Sequence, residues 1–189
     1  MQNTRTVIDV YRTYKIFSKD ECKEICKFFD NCGLEKGAVV IPSNEDPEYY
    51  RKSMVSFHKP VKETVWIFNK INKVLSKANQ DFFRFDLTGY DRLQYTTYDQ
   101  TSHYNWHTDT IPTQTVFGHR KLSISILLSE DFTGGDFLIN LGNQDDAHNT
   151  NLALGSAIIF PSYIPHSVIP VVSGVRKSIV AWACGPQFK

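Results

Sequence analysis

The sequence predicts a mainly β fold of the α+β kind, a sandwich or barrel preceded by two helices. Two observations carry this. Up to about residue 80 the apolar residues recur at helical spacing in two stretches, and from Phe82 onward the chain breaks into short β-rich runs separated by Gly, Pro, Asn and Asp. A third bounds it: 189 residues with 41% hydrophobic and 13% aromatic content suffice for one well-buried core. The expected organisation is one domain over 1–189, with a helical support region over 1–80 and a β core over 82–189.

Residues 5–17 read as an opening strand. Ser18-Lys19-Asp20-Glu21 has the pattern of a capping box, in which the Ser and Glu side chains each satisfy a free backbone N–H, so a helix is expected over about 19–31 and Gly33 ends it. Pro60 suits the first turn of a second helix reaching about Asn79, with Val61, Val65, Phe68, Ile71, Val74, Leu75 and Ala78 as its apolar stripe. Between them, residues 37–58 carry Pro42, Pro47 and mixed charge and read as a mobile loop. The expected strands are 83–87, 92–98, 121–128, 136–141, 156–160, 167–172 and 176–183. Long connections cover 110–120 and 142–151.

Composition excludes several classes. Lys plus Arg total 21 against 20 Asp plus Glu, so a formal charge of +1 offers no global field for nucleic acid or an anionic membrane surface. No apolar h-region opens the chain and no run approaches the roughly 20 apolar residues of a membrane span; a soluble, cytoplasmic protein is expected. The four cysteines, Cys22, Cys26, Cys32 and Cys184, contain no C-x-x-C pair and read as reduced thiols.

The chemistry is concentrated in the β half. His107 and Asp109 form an H-x-D pair, and in an extended segment residues two apart point to the same side, so both can grip one ion while Thr108 faces away. His166 supplies a third, distant ligand. Two imidazoles and a carboxylate on one face leave the other face of a metal open, an arrangement suited to non-haem Fe(II) and oxygen. Arg176 follows His166 by ten positions, between the apolar residues Val175, Ile179, Val180 and Trp182. A guanidinium in such a strand needs an anion, and its planar fork fits a carboxylate. His103 and His107 share the four-residue spacing of a zinc-protease pair, but Tyr104 stands where that motif needs Glu. His58, His119 and His148 fall in expected loops and read as solvated side chains.

The stretch from Leu93 to Pro186 resembles the Fe(II)- and 2-oxoglutarate-dependent dioxygenases of the prolyl 4-hydroxylase-like branch. The family pattern Y-x-x-G-x-x-Y-x-x-H-x-D is matched by Tyr98, Tyr104, His107 and Asp109, with Thr101 in place of its glycine. Gly134-Gly135-Asp136-Phe137 and the run from Gly155 to Pro186 follow its distal half. The resemblance implies a double-stranded β-helix (jelly-roll, cupin-like) of eight strands in two packed sheets, with the two N-terminal helices on the major sheet. It implies His107, Asp109 and His166 as catalytic iron ligands and Arg176 as the clamp on the distal carboxylate of 2-oxoglutarate. Tyr98, Ser178 and Trp182 would line the cosubstrate pocket. The implied cofactors are Fe(II), 2-oxoglutarate and O2, with ascorbate as a reductant, and the implied reaction is hydroxylation of a C–H bond with release of succinate and CO2.

A prolyl residue in a protein or peptide is the expected substrate, met by Tyr49, Tyr50, Arg51, Trp106 and Arg120 at the pocket mouth. A free amino acid or other small molecule is the alternative. A metal-dependent hydrolase on the same barrel is a further reading, in which Arg176 lacks a purpose.

Overall fold

The computed structural model describes residues 10–39, 44–110, 115–142 and 147–187. Strand β1 (Arg12–Lys15) leads into helix α1 (Lys19–Phe29), whose Ser18 and Glu21 form the expected capping box. Residues 5–9 of the expected opening strand lie outside the described residues. There follow β2 (Glu35–Lys36), a single helical turn α2 (Pro47–Tyr50), β3 (Arg51–Lys52), β4 (Met54–His58) and helix α3 (Val65–Ala78), which continues into a π-helical turn over Asn79–Phe83. The β half comprises β5 (Gly89–Tyr90), β6 (Leu93–Tyr98), β7 (His103–His107), β8 (His119–Leu127), β9 (Phe132–Gly134) and β10 (Phe137–Asn140). Beyond these come β11 (Ala147–Asn149), β12 (Ser156–Pro161), β13 (His166–Val168), β14 (Val171–Gly174) and β15 (Arg176–Gly185).

These strands form two antiparallel sheets and a ribbon. The major sheet runs β1-β12-β8-β15-β6-β4-β2, with β5 also paired to β15; the minor sheet runs β11-β10-β13-β7-β3; β14 pairs with β9. The jelly-roll expectation holds, with the sheets extended beyond eight strands by short additions. Strand alternation explains how one sheet serves two surfaces. On β15, Ile179, Ala181 and Ala183 face a core built with Ile25 and Phe29 of α1 and Ile67, Ile71 and Leu75 of α3. The alternate positions, Arg176, Ser178, Val180 and Trp182, line the cavity on the other side of the sheet. Strand β12 does the same: Ala157 and Ile159 belong to the helix-covered core, whereas Ile158 and Phe160 join Tyr98, Phe137, Ile139 and Val168 in a second core. Among the described residues no helix is long and apolar enough to cross a membrane.

Several expectations are corrected. The second helix starts at Val65 rather than near Pro60, and its buried stripe is Ile67, Ile71, Leu75 and Ala78, with Val61 and Val65 exposed. Thr64 is buried and accepts from the Val61 N–H in a local turn, which sets the start of regular helix later. No strand forms over 83–87: Asn79 holds Phe85 through both its backbone N–H and its C=O, so the groups a ladder would use are already taken. The expected loop over 37–58 contains β4, which pairs with β6 along its whole length and buries Val55 and Ser56. His58, expected in a loop, is a strand residue whose ring lies tilted against Phe29 with 4.4 Å between centroids, and burial lowers its pKa. All four cysteines are free.

The turn between β6 and β7 carries a conformational cost. Thr101 stands at the family's glycine position with φ +69°, a left-handed backbone that a β-branched residue adopts at a penalty of about 1–2 kcal/mol. Its N–H is held by the Val171 carbonyl at 2.9 Å, so the turn cannot relax without losing that bond. Thr101→Gly is therefore expected to raise unfolding stability by about 1 kcal/mol, after the unfolded-state entropy of glycine is subtracted. A chemical-denaturation midpoint at or below that of the parent protein would contradict this.

Candidate metal centre

The centre is set by pairing within the minor sheet. Strands β13 and β7 run antiparallel with His166 directly opposite His107, and a register shift follows between His166 and Val168. Asp109 lies just past β7, where its N–H donates to the Ser162 carbonyl at 2.8 Å and ties it to the end of β12. One ligand atom from each of His107, Asp109 and His166 lies within 4.8 Å of the others. The Nε2 atoms stand 3.9 Å (His107) and 3.6 Å (His166) from the Asp109 carboxylate oxygens. This is a spacing that one divalent ion can bridge.

Both rings are oriented for the task. Nδ1 of His107 contacts the Asn105 carbonyl at 2.7 Å, and Nδ1 of His166 contacts the Ile164 carbonyl at 3.0 Å. A carbonyl only accepts, so Nδ1 carries the proton and each Nε2 presents a lone pair. Tyr104 stacks on His107 with 3.4 Å between ring centroids, and Phe160 meets His166 edge-on at 4.7 Å. Burial, with the neighbouring His166 adding to it, lowers the His107 pKa to about 3, keeping the imidazole neutral. For Asp109 burial is the largest influence and works against ionisation. The neighbouring His166 and His107 and the Ser123 hydroxyl, which donates at 2.6 Å, act the other way, and the carboxyl is held below the usual carboxylate value.

Beside the triad the structure encloses a cavity of about 610 Å³, lined by His107, Asp109 and His166 and also by Tyr98, Arg176, Ser178 and Trp182. The three expected ligands and the four expected pocket residues thus converge on one space. Arg176 sits opposite Tyr98 across the β15–β6 ladder, only 2% exposed, with its Cζ 5.5 Å from the Tyr98 ring and Nη1 donating to Ser178 Oγ at 3.1 Å. Among the described residues no carboxylate lies within 4.0 Å of it. Desolvation lowers its pKa, the sign of a cation buried without full compensation. A Cβ on Gly135 would come within 3.0 Å of Arg176 Cδ, so the second glycine of the Gly134-Gly135 pair makes room for the arginine stem.

Other expectations are only partly met. Arg120 lines the cavity, but its charge is engaged by Asp91 at 2.8 Å and its guanidinium lies 3.5 Å over the Trp182 ring. Tyr49 does not line the cavity; it contributes its backbone carbonyl to Asn105 and His103. Ser123 was missed. It alternates with Leu122, Ile124 and Ile126 in KLSISIL, and a polar residue at every second position of an apolar strand is the signal that marked its inward face.

Comparison with known proteins agrees with this geometry. Residues 93–184 match the model of the 2OG-Fe(II) oxygenase superfamily. Among solved structures, a prolyl-4-hydroxylase from Pseudomonas putida superimposes with a TM-score of 0.73 over 94% of both chains at 18% identity. A prolyl hydroxylase from Trichoplax adhaerens, solved with a peptide fragment of a hypoxia inducible factor oxygen degradation domain, gives 0.74 over 94% of this chain and 84% of that one at 14% identity. A PKHD-type hydroxylase from Synechococcus sp. (strain CC9605) is 35% identical over 81 residues, 42% of this chain and 35% of the relative. The chain spans about a third of the length of the curated relatives it matches. Its fold is that of the prolyl-4-hydroxylase-like oxygenases. Residues 93–184, just under half of the chain, are similar to the 2OG-Fe(II) oxygenase superfamily, whose cofactors are Fe(II), 2-oxoglutarate and O2.

The donor set fits such a metal, and the buried guanidinium without a carboxylate fits a dicarboxylate. The Ser123 hydroxyl both charges and aims Asp109, so Ser123→Ala is expected to weaken Fe(II) or Co(II) binding by about 10- to 100-fold while leaving the fold intact. Metal titration followed by absorbance checks it, and parent-like affinity would remove Ser123 from the centre.

Proposed function

We propose that this chain is a prolyl hydroxylase of a protein or peptide substrate, with His107, Asp109 and His166 holding Fe(II) and Arg176 holding 2-oxoglutarate. The observation that carries the reading is Arg176, almost wholly buried, without a carboxylate partner among the described residues, and facing the same cavity as the triad. When bound, Fe(II) and 2-oxoglutarate with O2 supply the oxidising chemistry, one oxygen atom entering the substrate C–H bond and the other entering succinate as CO2 leaves.

The residues position and exclude. Arg176 donates to the distal carboxylate, with Ser178 steadying the guanidinium through Nη1 and Tyr98 offering its phenol to the same anion. A neutral His107 and an ionised Asp109 are the protonation states a cation needs. Trp182, Phe137 and Phe160 keep the interior poor in water. An intact carboxylate at position 109 favours hydroxylation over halogenation. Support for a peptide comes from the open side of the cavity, where the half-exposed Trp106 and the flanking Tyr50 offer aromatic surface, and from the peptide bound by the Trichoplax relative of the same fold.

The decisive experiment supplies Fe(II), 2-oxoglutarate and a panel of prolyl peptides and free proline, and reads succinate together with a mass gain of one oxygen atom. Fe(II) is expected to support both products and Zn(II) neither. Arg176→Ala is expected to weaken 2-oxoglutarate binding by about thirtyfold or more, because truncating one partner of a buried charge pair costs about 2–5 kcal/mol. Metal affinity should be unchanged. Calorimetry that finds 2-oxoglutarate binding indifferent to this substitution would overturn the assignment.

A further inference from the structure

A second guanidinium without a carboxylate partner among the described residues lines the cavity, and the chemistry above gives it nothing to do. Arg51 lies on β3, opposite Tyr104 in the pairing with β7, and is 7% exposed. Its Nε donates to Ser53 Oγ at 2.8 Å, while Nη1 makes only a long contact of 3.4 Å to the Ala38 carbonyl. Nη2 is buried and has no hydrogen-bond partner among the described residues, and no carboxylate lies within 4.0 Å of the group. Fully buried N–H donors of a cation are costly to leave unpaired.

The guanidinium is held rather than loose. Its Cζ lies 4.5 Å from the Tyr104 ring centroid, and Tyr104 in turn stacks on the metal-binding face of β7 through His107. Gly37 closes on it from the β2 side: a Cβ there would stand 2.5 Å from Nε and 2.8 Å from Cζ. The Gly37 N–H is itself tied to the Ser53 carbonyl at 2.8 Å. The slot therefore fixes the plane of the fork, fills one edge with Ser53, and leaves Nη2 as the free donor.

We infer that Arg51 is an anion subsite for the primary substrate, taking a carboxylate that flanks the carbon to be oxidised. This rests on the oxygenase reading of the same cavity and adds a substrate feature to it. Arg176 already answers for the cosubstrate, so a second buried cation in the same space selects a second anion. Two sources offer that chemistry: the α-carboxylate of a free amino acid or of a C-terminal residue, and the side chain of an acidic residue next to the target in a peptide.

The test is calorimetric titration of the anaerobic protein loaded with Fe(II) and 2-oxoglutarate, with pairs that differ only in charge. N-acetyl-proline against N-acetyl-prolinamide reads the terminal carboxylate. N-acetyl-Pro-Asp amide against its Pro-Asn counterpart reads the acidic side chain. At least one anionic member should bind about tenfold or more tightly than its neutral partner, the size of a charge-assisted hydrogen bond. Arg51→Gln should abolish that preference, Arg51→Lys should reduce it, and Gly37→Ala, which pushes on the guanidinium without removing it, should weaken it too. Binding of 2-oxoglutarate should stay at parent values in all three, and thermal midpoints should stay at parent values in the two Arg51 variants. Equal binding within both pairs, failure of both anions to bind at millimolar concentration, or a preference that survives Arg51→Gln would each overturn the proposal. Repeating the titration with metal alone separates this outcome from failure of the 2-oxoglutarate assignment, which Arg176→Ala reads independently.

Discussion

The register between β7 and β13 is the constraint on which the rest of the site depends. It sets His166 across from His107, and because side chains alternate along a strand, a slip of one residue would turn either imidazole away from the cavity. The pairing is short, and it shifts register directly after His166, so it is fixed less by its own hydrogen bonds than by its neighbours. Phe137 and Ile139 of β10 hold β13 on one side, while Arg51 of β3 holds β7 on the other. The Asp109 N–H bound to Ser162 then ties this minor-sheet pair to the major sheet. Three side chains that could hold one ion, from two separated stretches, thus meet through backbone pairing, which is stiff, rather than through long side chains, which are not.

A polar interior of this kind needs compensation elsewhere. Ser123, Ser125, Ser178, Thr96, Gln94 and Arg176 are buried on the strands of the major sheet, positions that in an ordinary sandwich would carry aliphatic side chains. The compensation lies on the opposite face, where α1 and α3 cover Ile124, Ile126, Ile159 and Ile179 in a core that is almost wholly apolar. The helices are distant from the chemistry, yet they supply the burial that lets the cavity remain polar. Thr101 shows a smaller cost of the same sort, a strained residue retained where the turn must deliver β7 at the right height.

Much of this was legible in the residues. H-x-D, a distal histidine and an arginine ten positions later are separate in sequence and meet in space, and the alternation around Arg176 announced which residues share its face. The capping box at Ser18 was legible because capping is local chemistry. What was not legible is non-local. Strand β4 lies in a segment full of turn residues, and only its partner β6 makes it a strand. The run 83–87 has strand composition, but a side chain six residues upstream takes its backbone groups. Arg51 was visible as a candidate for substrate contact, but its burial depends on Gly37 and Tyr104, which no spacing rule connects.

The charge of the whole chain and that of the cavity give opposite answers, and the difference has a physical reason. A formal charge of +1 produces no long-range attraction for anions, and salt screens surface fields within about 8 Å. Inside the cavity the positive charges are Arg51 and Arg176, since Arg120 is spent on Asp91, and both are desolvated. An anion is therefore not steered to this protein from a distance. It is selected on entry, where a cation stripped of water and lacking a partner favours any ligand that restores the lost hydrogen bonds. Selection by desolvation acts at short range, so it discriminates by the position of a carboxylate rather than by its presence. Two fixed guanidiniums beside one metal centre can thus tell two different anions apart.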